Sequence, residues 1–201
     1  MTHARMDALR LEPCSEFGWD QKHIRECLFA RARKRAQRGQ FWSMLIHRPR
    51  DLLALKQVTD VCTVETTVDG GSCLVPIRQI RGSEGRSMYF DSDFNPRYDR
   101  ERGRWLNIAR ARQRGRDLPP VALVRVGDVY FVRDGHHRIS VARALGQIEI
   151  EARVILWQVC CPLTWELVAP DPGSGRGRLH ERATTALGAI LMAVQAAGRD
   201  A

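Results

Sequence analysis

Lysine is nearly absent from this 201-residue chain: of 32 basic residues only Lys22, Lys34 and Lys56 are lysine. Such an arginine bias reflects genome composition as much as function. The formal charge of +9 and isoelectric point near 9.9 favour anionic partners. Cysteine is present but unpatterned. Cys14, Cys27, Cys62, Cys73, Cys160 and Cys161 contain no CxxC pair and no spaced framework. With no cleavable signal pattern at the N-terminus, a reduced cytoplasm is the expected compartment, and the vicinal Cys160-Cys161 pair reads as packing rather than a redox switch. Long apolar runs are missing as well. The longest uncharged late run, ATTALGAILMAVQAAG at 183–198, has 16 residues, short of the roughly 18–20 needed to cross a bilayer. No membrane contact is expected, and 180–198 reads as a helix docking on this protein or on a partner.

What is present is ordinary globular material, 44% hydrophobic and 27% charged, enough for one domain with a core plus decorations. Charge is uneven: 12 basic against 7 acidic residues over 1–60, 16 against 10 over 72–157, and 4 against 4 from 158 onward. The expected organisation is a basic helical region at 1–62, a folded domain at 72–157, and an irregular tail with a Gly-rich linker and a terminal helix at 158–201. Residues 1–20 lack periodicity. A helix is expected over 21–37, stopped by Gly39, with Arg31, Arg33, Lys34, Arg35 and Arg38 either a solvated face or a nucleic-acid arm. A second helix is expected over 50–58. Residues 60–71 read as a polar connection marking a domain boundary.

Within the domain, CLVPIRQI reads as a strand and RGSEGRS as a Gly-rich loop carrying Glu84 and Arg86. A helix over 100–115 follows. VALVRV and VYFVR, separated by Gly127-Asp128, form an antiparallel hairpin. A helix over 136–145 and a half-buried strand over 148–156 complete it.

The chemistry concentrates in VYFVRDGHHRISVARALG, 129–146. An apolar strand runs into Asp134-Gly135-His136-His137-Arg138 and then at once into an amphipathic helix. The start of that helix offers unpaired backbone N–H groups and the positive end of the dipole, which suit an anion. Arg138, a rigid fork of donors, and two imidazoles strengthen the case for phosphate. The competing reading is a turn in which Asp134 caps the helix and the first-turn residues face water. Zinc is disfavoured because adjacent helical histidines diverge by about 100°, whereas helical zinc sites use i, i+4 spacing.

The order of elements over 74–155 (VPIRQI, a loop, a helix ending RARQRG, LPPVALVRV, VYFVRDGHHRISVARALG and IEIEARVI) resembles the ParB/sulfiredoxin superfamily. The resemblance implies a small α/β (α+β) domain with a mixed sheet, whose Gly-x-x-Arg loop and helix hold nucleotide phosphates. It places Gly135, His136, His137 and Arg138 at phosphate and CTP, ATP or ADP as the kind of nucleotide. The departures limit what is inherited. ParB partition proteins read Gly-Glu-Arg-Arg where this chain has Gly135-His136-His137-Arg138, and their helix-turn-helix has no counterpart here. Sulfiredoxin carries its catalytic cysteine where this chain has His136. The Asp-Gly-His-His-Arg form is closer to the free-serine kinases of the superfamily, in which a carboxylate acts as base. That likeness makes Glu84 the candidate base and Asp134 a group that binds Mg²⁺ or orients His137. The resulting expectation is a nucleotide- or phosphate-binding domain with phosphoryl-transfer or nucleotide hydrolase activity. The alternative is a non-enzymatic regulatory or nucleic-acid-binding module that also uses the arginines of 97–116.

Overall fold

Val126 pairs with Val129 across the Gly127-Asp128 turn, joining β4 (Val121–Val126) to β5 (Val129–Asp134) in the expected antiparallel hairpin. The structure is a computed structural model that describes residues 20–45, 50–60 and 62–160. The N-terminal stretch before residue 20, Cys161, and the linker and 180–198 helix expected after it lie outside the described residues.

The hairpin sits at the centre of a mixed six-stranded sheet in the order β1-β3-β5-β4-β6-β2. β1 (Leu53–Ala54), β3 (Ile80–Ser83) and β5 run parallel, and β4 runs parallel to β6 (Glu149–Val159). β2 (Val64–Pro76) closes the far edge antiparallel to β6. Alternation along the hairpin sends side chains to opposite faces. Leu123 and Val132 join a buried cluster with Ile139 and Ala142 of α4 (His136–Ala144). Val124 and Phe131 face the other way and pack with Leu55 of α2 (Leu55–Thr59). The fold is thus an α+β architecture with helices on a mixed sheet.

A third apolar cluster joins the N-terminal helix to the domain. Leu28 and Phe29 of α1 (Gln21–Leu45) pack on Trp105 and Ala109 of α3 (Arg102–Gln113) and on Val141 of α4. The Phe29 and Trp105 rings meet edge to face at 5.6 Å, and Trp105 Nε1 donates to Ser140 Oγ at 2.9 Å. A buried indole needs such a partner, because an unsatisfied N–H loses its water without compensation.

Four local expectations are revised. α1 runs through Gly39 to Leu45 instead of stopping there. A Cβ at Gly39 would come within 3.2 Å of Arg50 Nη1, so this glycine lets Arg50 lie against the helix. The helix expected over 50–58 is shorter, because Leu53 and Ala54 pair with Gly82 and Ser83 of β3; sheet pairing overrides the helix-forming leucines. Most of the supposed connection at 60–71 belongs to β2. Its Thr and Val residues favour a strand, and the Gly70-Gly71 step falls at a register shift between Asp69 and Ser72. Cys62, read from sequence as a reduced thiol, is buried and disulfide-bonded. Among the described residues no helix is long and apolar enough to cross a membrane.

Candidate functional site

β3 and β5 are parallel neighbours, with Gly82 opposite Phe131 and Ser83 opposite Val132. Their carboxyl ends therefore open on the same rim of the sheet, the usual place for ligands in α/β sheets. Past β3 the chain turns through Glu84, Gly85 and Arg86; past β5 it enters α4. Glu84 N donates to Val132 O at 3.0 Å and Arg86 N donates to Ser83 Oγ at 2.9 Å, which holds the two exits together.

Gly135, not Asp134, stands at the head of α4, with φ +103° and ψ 19°. A Cβ there would lie 2.6 Å from Val121 Cγ1. Ile139 N makes the first bond back, to Gly135 O at 3.0 Å, so the N–H groups of His136, His137 and Arg138 precede the helical ladder and have no partner within it.

The two histidines diverge as their helical positions require. His136 Nε2 is hydrogen-bonded to Ser83 Oγ at 2.7 Å, and its ring stacks on Phe90 at 5.8 Å. His137 Nε2 meets Glu101 Oε2 at 2.7 Å, with Phe90 edge-on at 5.2 Å. Both imidazoles are buried, only 5% exposed. Burial, with help from Arg86 and His137 against Asp134, lowers the His136 pKa to about 4; at neutral pH the ring is uncharged. Burial also lowers the His137 pKa, partly offset by Glu101, while the charges of Arg104 and Arg86 push it further down.

Glu84, the candidate base, does not bond to either histidine. Glu84 instead holds Arg133 with both oxygens, Oε2 to Nε at 2.7 Å and Oε1 to Nη2 at 3.2 Å. One residue of helical rotation separates the two rings: His136 faces β3, so His137 faces the turn at Asp99–Glu101 just before α3. Arg138, expected at the ligand, is turned to the protein itself. Its Nη1 donates to the carbonyls of Pro119 and Pro120, and its Nη2 pairs with Asp134. It clasps the segment before β4 to the head of α4.

Two other arginines bring positive charge near the site. Arg86 and Arg104 lie close enough to His137 for their charge to depress its titration. Both are exposed, and among the described residues neither is ion-paired. The rim thus combines three helix-start N–H groups, two uncommitted guanidinium groups and two neutral imidazoles, an arrangement suited to a phosphate. Asp134 is 76% exposed at its side chain, and no group of three or more metal-ligating side chains occurs among the described residues. A Mg²⁺ ion held by protein alone does not fit here. An ion arriving with a nucleotide would find Asp134 beside the rim, since Mg²⁺ commonly uses one or two carboxylates plus substrate phosphates.

Sequence reasoning missed Ser83, Glu101 and Arg104. Glu101 precedes His137 by 36 residues, and no local pattern links them. Arg86 was visible in the Gly-rich loop, but nothing in the sequence set it apart from Glu84.

No protein-family model matches the chain, and no curated protein does. Among solved structures, sulfiredoxin from Arabidopsis thaliana is similar over 48% of this chain and 91% of its own, at 16% identity and a TM-score of 0.32. That is a distant likeness and assigns no activity.

Proposed function

We propose that the chain binds a nucleotide or another phosphate-bearing ligand at the rim formed by the start of α4, Arg86 and Arg104. The observation that supports this best is that Arg86 and Arg104, whose charge reaches His137, make no ion pair among the described residues. Carboxylates close to the rim are otherwise committed: Glu84 to Arg133, Asp134 to Arg138 and Glu101 to His137. An incoming phosphate therefore meets positive potential.

The reading is one of binding. Glu84 is a poor candidate base while both its oxygens hold Arg133, and the carboxylate that touches an imidazole is Glu101. If phosphoryl transfer takes place at this rim, His137 with Glu101 is the pair equipped to accept a proton, because the imidazole is neutral and the carboxylate orients it.

Isothermal titration with CTP, ATP, ADP, GTP and inorganic phosphate, with and without Mg²⁺, tests the proposal. Arg86→Ala is expected to weaken binding by roughly 10- to 150-fold, the loss of a charge-assisted contact, and to leave thermal stability unchanged because that side chain is exposed. Arg138→Ala should instead lower stability through loss of the clasp. Failure of every phosphate ligand to bind, or equal affinity in wild type and Arg86→Ala, would refute the assignment.

A further inference from the structure

The outer face of α1 carries a second pattern, far in character from the rim. Arg31, Lys34, Arg35 and Arg38 are all exposed, and their spacing of three, four and seven residues puts them on one side of the helix. Arg33, grouped with them in the sequence, does not belong: it is largely covered and bonded to Asp99. Among the described residues the four outward cations make no ion pair. The same side continues into Phe41 and Trp42, ten and eleven residues beyond Arg31, which are 66% and 56% exposed. Their rings touch edge to face at 6.4 Å. A basic half-face thus leads into an aromatic half-face over about 16 Å of helix.

The opposite side of α1 is not available, since Phe29, Ala32 and Ala36 are buried. This geometry disfavours a lipid surface. A helix lying in a membrane interface needs apolar residues along its length opposite the basic ones; here they follow the basic residues at one end of the same face. Cations in a row followed by open aromatic rings match a polyanion whose flat bases are free to stack.

We propose that this face of α1 binds single-stranded nucleic acid. Arg31, Lys34, Arg35 and Arg38 track the phosphates, and Phe41 and Trp42 receive bases. Because the bases of a duplex are stacked on one another, the aromatic end gains nothing from double-stranded partners. The face is separate from the rim, so the two proposals stand or fall independently.

Fluorescence anisotropy of the full chain with labelled single-stranded and duplex oligonucleotides provides the test. Four neutralised phosphates at a slope of about −0.7 each give roughly −2.8 in log affinity against log salt, or about 20-fold weaker binding between about 100 and about 300 mM salt. The combined change Arg31→Glu, Lys34→Glu, Arg35→Glu and Arg38→Glu is expected to abolish binding with the fold retained by circular dichroism. A matched reversal of Lys56, Arg78, Arg125 and Arg153, outward cations that lie outside α1 and the 97–116 segment, should leave it within about threefold, since the loss must come from place and not from net charge. Phe41→Ala with Trp42→Ala should weaken single-strand binding by about 5- to 150-fold, the worth of one stacked base, and spare duplex binding. Several results would overturn the proposal: no oligonucleotide bound, a preference for duplex, equal losses in the α1 and control reversals, or capture by anionic vesicles but not by oligonucleotides. So would a concentration-dependent dimer abolished by the aromatic pair of changes, which would make a second copy the occupant.

Discussion

Gly135→Ala is expected to lower stability by roughly 2–6 kcal/mol, about 1–3 from forcing a side chain to φ +103° and about 1–3 from overpacking. The overpacking has a definite partner. The added Cβ would stand 2.6 Å from Val121 Cγ1 and 2.9 Å from Val121 Cβ. Val121 is 1% exposed, within the main core cluster, and its Cβ is fixed by the β4 backbone, so it cannot swing aside. At about 2–4 °C per kcal/mol for a chain of this size, the melting temperature should fall by roughly 5–20 °C. Val121→Ala should not rescue the variant, because it removes Cγ1 but leaves the Cβ contact at 2.9 Å and empties part of the main core. A Gly135→Ala protein melting within about 2 °C of wild type would show that this turn is not under the constraint described.

Acid should weaken the protein earlier than its carboxylates alone would dictate. His136 titrates near 6.5 in an unfolded chain but near 4 in the fold. Between those values the unfolded state takes up a proton that the native state refuses. Stability is therefore intact above about pH 6.5 and falls as pH drops toward 4, by about 3 kcal/mol in all from this one group. The lowered pKa of His137 acts in the same direction. Asp91 opposes it, because burial raises its carboxyl above the usual value and its native form gains a proton more readily. Urea denaturation at pH 7, 5.5 and 4.5 measures the slope. His136→Gln, whose amide can still reach Ser83, should flatten it. An identical slope in wild type and His136→Gln would remove His136 as the cause.

These two expectations show which parts of the molecule could be read directly from its residues. The β4–β5 hairpin and the 136–145 helix were legible because their signals are local: a two-residue turn between alternating apolar runs, and a glycine before a helical period. β1 was not, because Leu53 and Ala54 become a strand only by pairing with β3, a partner nearly thirty residues away. The same distinction divides the site. Gly135 announced itself, since a tight exit from a strand into a helix needs such a residue. The partners of Arg138 and Glu84 were not legible, because sequence sets where a side chain starts but not what it meets. The carbonyls of Pro119 and Pro120 drew in Arg138, and Arg133 took Glu84. Arg86 and Arg104 were two among many arginines until the fold showed them without acidic partners among the described residues.

α4 has a further consequence for how the molecule comes apart. Its nine residues supply Ile139 and Ala142 to the sheet-facing cluster and Val141 to the cluster shared with α1 and α3. Ser140 holds the Trp105 indole from the same helix. Neither cluster can open while α4 stays in place, and α4 cannot leave without exposing both. The helical layer and the sheet are thereby welded into one cooperative unit, so the amide hydrogens of α4 should exchange with solvent only through global unfolding, whereas the solvent-facing end of α1 opens on its own.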